Sequence, residues 1–166
     1  MPENSIYTTT AMIGASMLNE YGCITPAACQ RLFVSAMEMH LKKLNLDVPY
    51  LLANYGISWV MLALTGEIRS RIVPGEILRV KTWCTYHEGV LYRREFAAYH
   101  ANGILAVAGA GFFTIIDLHS RKICRTGTPA DVLNHMRREE LLTAQSRFKP
   151  SMENLPKVFE YPIISS

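Results

Sequence analysis

The chain has 166 residues, 49% of them hydrophobic and 19% charged, with a formal net charge of +3. That length suits one domain and hides roughly 70% of the unfolded chain's surface on folding, so a core forms without staples. The small charge, with no run of lysines and arginines, argues against a nucleic-acid binder.

Cys23, Cys29, Cys84 and Cys124 form no Cys-x-x-Cys pair, and the five histidines (His40, His87, His100, His119, His135) are scattered. No metal site and no disulfide framework is expected from such spacing. The first residues lack the basic and apolar regions of a signal peptide. The longest uncharged stretch, 48–66, mixes Pro49, Asn54, Gly56 and Ser58 with apolar residues, as a loop followed by a buried strand does. The expectation is therefore a cytoplasmic protein without membrane insertion and without a cofactor.

In chain order, residues 5–13 are β-branched and aromatic and predict a first strand. A turn-prone stretch from Ser16 to Ile24 leads to Thr25-Pro26, an N-cap followed by proline at the first helical position. The helix should run from about 26 to 45. Its first half (Ala27, Ala28, Cys29, Leu32, Phe33, Val34, Ala36, Met37) is apolar nearly all round, which predicts burial on every side. Glu38, Lys42 and Lys43 bring its second half into water, and His40 reads as a packing histidine. After a connection over 47–56 with room for one helical turn, residues 57–69, 76–87, 90–100 and 104–117 read as four long strands. Pro74-Gly75, Glu88-Gly89 and Asn102-Gly103 punctuate them as turns.

The Gly-Ala-rich run 104–111 marks a strand approached closely by another backbone. Close helix–sheet packing and the floor of an acyl tunnel both fit it. A short strand near 122–125, a helix over 129–143 capped at Thr128-Pro129, and an irregular arm over 146–166 complete the chain, so that residues 1–145 form the domain. Strand, long buried helix, then four or five antiparallel strands is the element order of the α+β hot-dog fold, a curved sheet wrapped round one central helix. Arg69, Arg71, Arg93, Arg94, Arg121, Lys122 and Arg125 read as a solvated face, or as a docking surface for an acidic carrier protein or coenzyme A phosphates.

The loop ahead of the helix carries the candidate chemistry. A helix N-terminus offers backbone amides and partial positive charge that polarise a carbonyl oxygen. Thioester hydrolysis needs such a stabiliser together with a group that activates or holds water. Glu20 is the candidate base and Asn19 the candidate holder of water or carbonyl, although adjacent side chains on an extended segment point opposite ways. Both also fit a plain turn. Cys23 is a candidate nucleophile or a structural thiol. Trp59 and Trp83 belong to the core, an interface or the wall of a pocket.

From about Thr9 to Arg125 the chain resembles the acyl-acyl carrier protein thioesterases. Gly22-Cys23-Ile24-Thr25-Pro26-Ala27-Ala28 stands where that family has Gly-His-Val-Thr-Pro-Ala-like residues. Gly56-Ile57-Ser58-Trp59-Val60, Pro74-Gly75-Glu76, Lys81-Thr82-Trp83, Tyr92-Arg93-Arg94-Glu95-Phe96 and Ile116-Asp117-Leu118 follow in the family's order. The resemblance implies hydrolysis of fatty acyl thioesters carried on acyl carrier protein or coenzyme A, with Gly22, Cys23, Thr25, Ala27 and Trp59 against the substrate. The same fold also serves as a non-catalytic acyl-thioester or lipid binder. Asn19 stands where related single-hot-dog thioesterases place an aspartate, and an asparagine orients water without taking its proton. The family joins two hot-dog halves and this chain resembles the first, which mainly shapes the acyl pocket, so a homodimer or dimer of dimers is expected to supply the missing half.

Overall fold

The computed structural model describes residues 5–125, 127–135 and 159–162. Strands β1 (Ile6–Met12), β2 (Ile57–Ile68), β3 (Ile77–Glu88), β4 (Leu91–Tyr99), β5 (Leu105–Asp117), β6 (Lys122–Ile123) and β7 (Phe159–Pro162) form one antiparallel sheet. Its order is β1-β3-β4-β5-β2-β7, with β6 beside the end of β5. Bulges at Met61/Ala63, Cys84/Tyr86 and Ala98/Tyr99 add the local bend that a curled sheet needs. Helix α1 (Pro26–Lys43) lies in the hollow, and a second helix, α2 (Val48–Tyr55), bridges it to β2. This is the hot-dog arrangement.

Local chemistry explains the helix ends. Thr25 Oγ1 accepts from the Ala28 amide at 3.2 Å, with Pro26 opening the first turn. At the other end Asn45 adopts φ 56° and the Leu46 amide reaches back to the Leu41 carbonyl at 2.8 Å, a Schellman-type stop. Lys42 and Lys43 occupy the last turn, where the helix dipole favours positive charge. The connection expected to hold one turn is a two-turn helix, because Pro49 opens α2 and left-handed Gly56 closes it onto the Leu52 carbonyl.

The sheet's helix-facing row Tyr7, Thr82, Phe96, Gly109 and Gly66 runs across five strands. Phe33 projects from α1 onto this row and stacks on Phe96, with centroids 4.8 Å apart. A Cβ on Gly109 would sit 2.8 Å from Phe33 Cε2 and 3.1 Å from the Thr65 carbonyl oxygen. Close helix–sheet approach therefore accounts for the small residue at Gly109.

Three expectations need correction. The helix is not buried on all sides: Ala27, Arg31, Ser35, Glu38 and Lys42 are exposed. Spaced at four, four, three and four, they form one stripe, because a half-closed sheet covers only one flank of the helix. The helix predicted over 129–143 begins as a 3₁₀ segment, Pro129–His135, and its remainder lies outside the described residues. Within the arm, 159–162 is a strand on the edge of β2, pairing Ala63 to Gly66, where irregular structure was expected. The proposed boundary at 145/146 falls outside the described residues.

Candidate functional site

A cleft of about 510 Å³ opens between the second half of α1, the start of α2 and the middle of β2. Its walls are Val34, Met37, Leu41, Trp59, Met61 and Phe113, and Glu38, Lys42 and Asp47 stand among them as the polar residues. A mostly apolar concavity of that size with few polar groups is what a chain-like apolar ligand requires. Trp59 is set in place from two sides. Its indole N–H donates to the Leu46 carbonyl at 2.8 Å, and its ring meets Tyr92 edge-on at 5.0 Å.

Behind the wall shared by Met37, Leu41, Trp59 and Phe113 lies a recess of about 10 Å³ that reaches Arg94, Cys84 and Tyr92. Arg94 is 2% exposed, and its Nη1 donates to His40 Nδ1 at 2.8 Å and Thr82 Oγ1 at 3.2 Å. His40 is thus the packed histidine expected, held by a guanidinium and stacked on Tyr7. Burial pushes the Cys84 thiol up, against the opposing pull of the Arg94 charge, and drives Cys29 up to about 12.

The arginine-rich set does not form one solvated face. Arg93 is fully buried in a 2.7 Å ion pair with Glu95 on the outer face of β4, while Arg94, the next residue, points inward. Arg69 and Arg71 follow the end of β2, and Arg121, Lys122 and Arg125 lie by its start, because Ile57 pairs with Asp117. Eleven strand steps, about 36 Å, separate the two groups.

The residues singled out ahead of α1 are gathered in a tight loop closed by the Leu18–Ile24 bridge. Asn19 Oδ1 accepts from the Tyr21 and Cys23 amides, both at 3.0 Å, so its side-chain oxygen holds the turn. Gly22 takes φ 74° at the corner, and its carbonyl accepts from the Ile72 amide at 3.1 Å. Glu20 and Ala27 are exposed, whereas Cys23 and Thr25 are half-buried. Of the seven predicted site residues only Trp59 lines the cleft; the other six sit at the opposite end of α1, about 15 Å away from Ala27 to Met37.

Sequence reading missed a second polar cluster. Ser70 Oγ lies 2.7 Å from His100 Nε2, and His100 Nδ1 pairs with Glu76. Ser70 Oγ also donates to the Leu105 carbonyl, and Glu76 accepts from the Val73 amide. These bonds tie the loop over 69–76 to the 100–104 hairpin. Only the fold brings three residues so far apart in sequence together, so no spacing signal marked them. Among the described residues no group of three or more His, Cys, Asp and Glu side chains is placed to hold a metal ion.

A curled sheet wrapped on one helix, with an apolar cleft between them, is the hot-dog fold. Residues 13–135 match the model of the acyl-ACP thioesterase N-terminal domain, and the chain belongs to that family. No curated protein matches the chain in sequence. Among solved structures, an acyl-ACP thioesterase from Bacteroides thetaiotaomicron is 19% identical with a TM-score of 0.72, over 89% of this chain and 58% of the other. A 12:0-ACP thioesterase from Umbellularia californica is 12% identical with a TM-score of 0.65, over 76% of this chain and 51% of the other. A 1,4-dihydroxy-2-naphthoyl-CoA thioesterase from Synechocystis is 13% identical with a TM-score of 0.67, over 77% and 94%. The chain thus spans little more than half of the two acyl-ACP enzymes. Among the described residues no helix is long and apolar enough to cross a membrane.

Proposed function

We propose that this protein hydrolyses fatty acyl thioesters, carried on acyl carrier protein or coenzyme A, to free fatty acid and thiol. The cleft beside Trp59 receives the acyl chain, and that apolar cleft, in a chain of this family, is the observation that carries the reading. Glu20 is the base, Asn19 orients water through its amide nitrogen, and the backbone around Gly22, Cys23, Thr25 and Ala27 polarises the thioester oxygen. Because that loop and the cleft lie at opposite ends of α1, a two-fold partner would bring one protomer's loop to the other's cleft. We therefore infer a homodimer. Four free cysteines fit a reducing, cytoplasmic setting.

A second reading is an acyl-thioester or lipid binder that does not turn over. The engagement of Asn19 Oδ1 by two turn amides, beside an exposed Glu20, favours it. The test is release of thiol from acyl-coenzyme A and acyl-carrier-protein substrates from acetyl to palmitoyl, by wild type and Glu20→Gln. Turnover that collapses in the variant while binding survives supports hydrolysis with Glu20 as base. Tight binding with no turnover at any chain length replaces hydrolysis with the binder.

A further inference from the structure

We propose that Arg94 forms an anion-reading subsite behind the cleft, so that the preferred ligand is an alkyl chain ending in a carboxylate. The inference rests on the acyl-binding role given to the cleft above.

Arg94 carries a full charge out of water on the helix side of the sheet. Its two partners, His40 Nδ1 and Thr82 Oγ1, accept hydrogen bonds from Nη1 and contribute no negative charge. Among the described residues Nη2 is buried with no hydrogen-bond partner. Glu95, the neighbouring carboxylate in sequence, points to the opposite face and is engaged by Arg93. Asp131 accepts from the Gly127 amide and, among the described residues, forms no ion pair with Arg94. An uncompensated buried cation is one of the more costly arrangements a core can hold, and proteins meet it with an anion. Cys84 beside it is no such counter-charge, since burial holds the thiol protonated.

The position of the Arg94 side chain supplies the rest. Arg94 lines the recess of about 10 Å³, which is room for one oxygen-sized atom. Met37, Leu41, Trp59 and Phe113 wall both the recess and the 510 Å³ cleft, so a chain filling the cleft ends against the recess. Met37, unbranched and adaptable, is the side chain best able to give way there. A methyl terminus would leave the guanidinium unmatched. A carboxylate oxygen would accept from Nη2 in a charge-assisted bond, at the end of a channel otherwise suited to methylenes. Two molecules present this chemistry: a free fatty acid entering carboxyl-first, and an acyl thioester whose far end bears a second carboxyl group.

Calorimetric titration of the full chain with laurate and with methyl laurate tests the subsite. Laurate should bind at least about tenfold more tightly than its ester, the ratio expected when one charge-assisted hydrogen bond is lost. In Arg94→Met, which keeps length and removes charge, the two should bind within about twofold of each other. Arg94→Lys should retain a preference for laurate, and it stands in if the methionine variant does not fold. Tighter binding of 11-carboxyundecanoyl-coenzyme A than dodecanoyl-coenzyme A would identify the thioester source; equal binding of those two beside a laurate preference would identify the free acid. Equal binding of laurate and methyl laurate by wild type overturns the subsite and leaves the acyl cleft standing. So does a preference that persists in Arg94→Met, which would belong to Lys42 among the cleft residues. Failure of all four compounds to bind overturns the cleft itself.

Discussion

Replacing Gly109 with alanine adds one methyl group at a point where Phe33 of α1 presses on the sheet. That carbon would lie 2.8 Å from Phe33 Cε2, 3.3 Å from Phe33 Cδ2 and 3.1 Å from the Thr65 carbonyl oxygen. The carbonyl belongs to β2, which is held in register along its length by β5, so it cannot retreat cheaply. Phe33 is fully buried and stacked on Phe96, so its ring moves only by disturbing a second ring. Overpacking of this kind costs about 1–3 kcal/mol. The lost glycine freedom in the unfolded chain returns about 0.4–1 kcal/mol. Midpoint against midpoint, the net is a destabilisation of about 1.3 kcal/mol, or a fall in Tm of roughly 3–5 °C for a chain of this size. Thermal unfolding followed by far-ultraviolet circular dichroism reads it, with Gly14→Ala as control, since a Cβ there meets nothing within 4 Å. Phe33→Leu combined with Gly109→Ala should be less damaging than the sum of the two, by about 0.5 kcal/mol or more. A Gly109→Ala melt at or above wild type, or strictly additive variants, would refute close packing. In that case the glycine would have to be read as the floor of an acyl tunnel, and the variant should shorten the chains accepted.

Thr25→Ala removes the hydroxyl that caps Ala28 and should cost about 1 kcal/mol, whereas Thr25→Ser should melt close to wild type. The hydrogen bond from His100, reinforced by the Val73 amide, holds the Glu76 carboxyl below the usual carboxylate range. With the folded value lower than the unfolded one, its stabilisation is complete above the ordinary carboxylate pKa and is lost as pH falls through the folded value. Glu76→Gln should therefore lower Tm slightly at pH 7, by no more than about 1 kcal/mol in stability, and the gap should close toward pH 3. A gap that widens in acid would remove the ion pair as its cause.

Much of the scaffold is legible in one dimension because its signals are local. Thr25-Pro26 states where α1 begins, since an N-cap and a proline act within a single turn. Asn102-Gly103 marks the β4–β5 hairpin, where Gly103 takes φ 86° and the His100 amide closes onto the Ile104 carbonyl. The small residues over 104–111 announce a close neighbour, which the structure identifies as Phe33 at Gly109. The exposed stripe of α1 was written in the four-residue spacing of Ala27, Arg31 and Ser35, but those short or isolated residues were outweighed by the apolar majority around them.

The site was less legible, and the reasons are physical. Asn19 and Glu20 carry the composition of a catalytic pair, yet whether an amide oxygen faces a substrate or its own turn depends on backbone angles that composition does not record; here it faces the Tyr21 and Cys23 amides. Arg93 and Arg94 look alike as letters and as charges. Strand alternation sends one to the outer face with Glu95 and the other to the helix side with His40, fifty-four positions away in the chain. By itself the sequence determined α1, the strands β1 to β5, their order and hence the hot-dog class, because caps, turns and hydrophobic period act over a few residues. The tertiary structure alone decided where the cleft opens, which cation is left among the described residues without a counter-charge behind it, and which polar residues meet, because those depend on contacts between strands and helices distant in the chain.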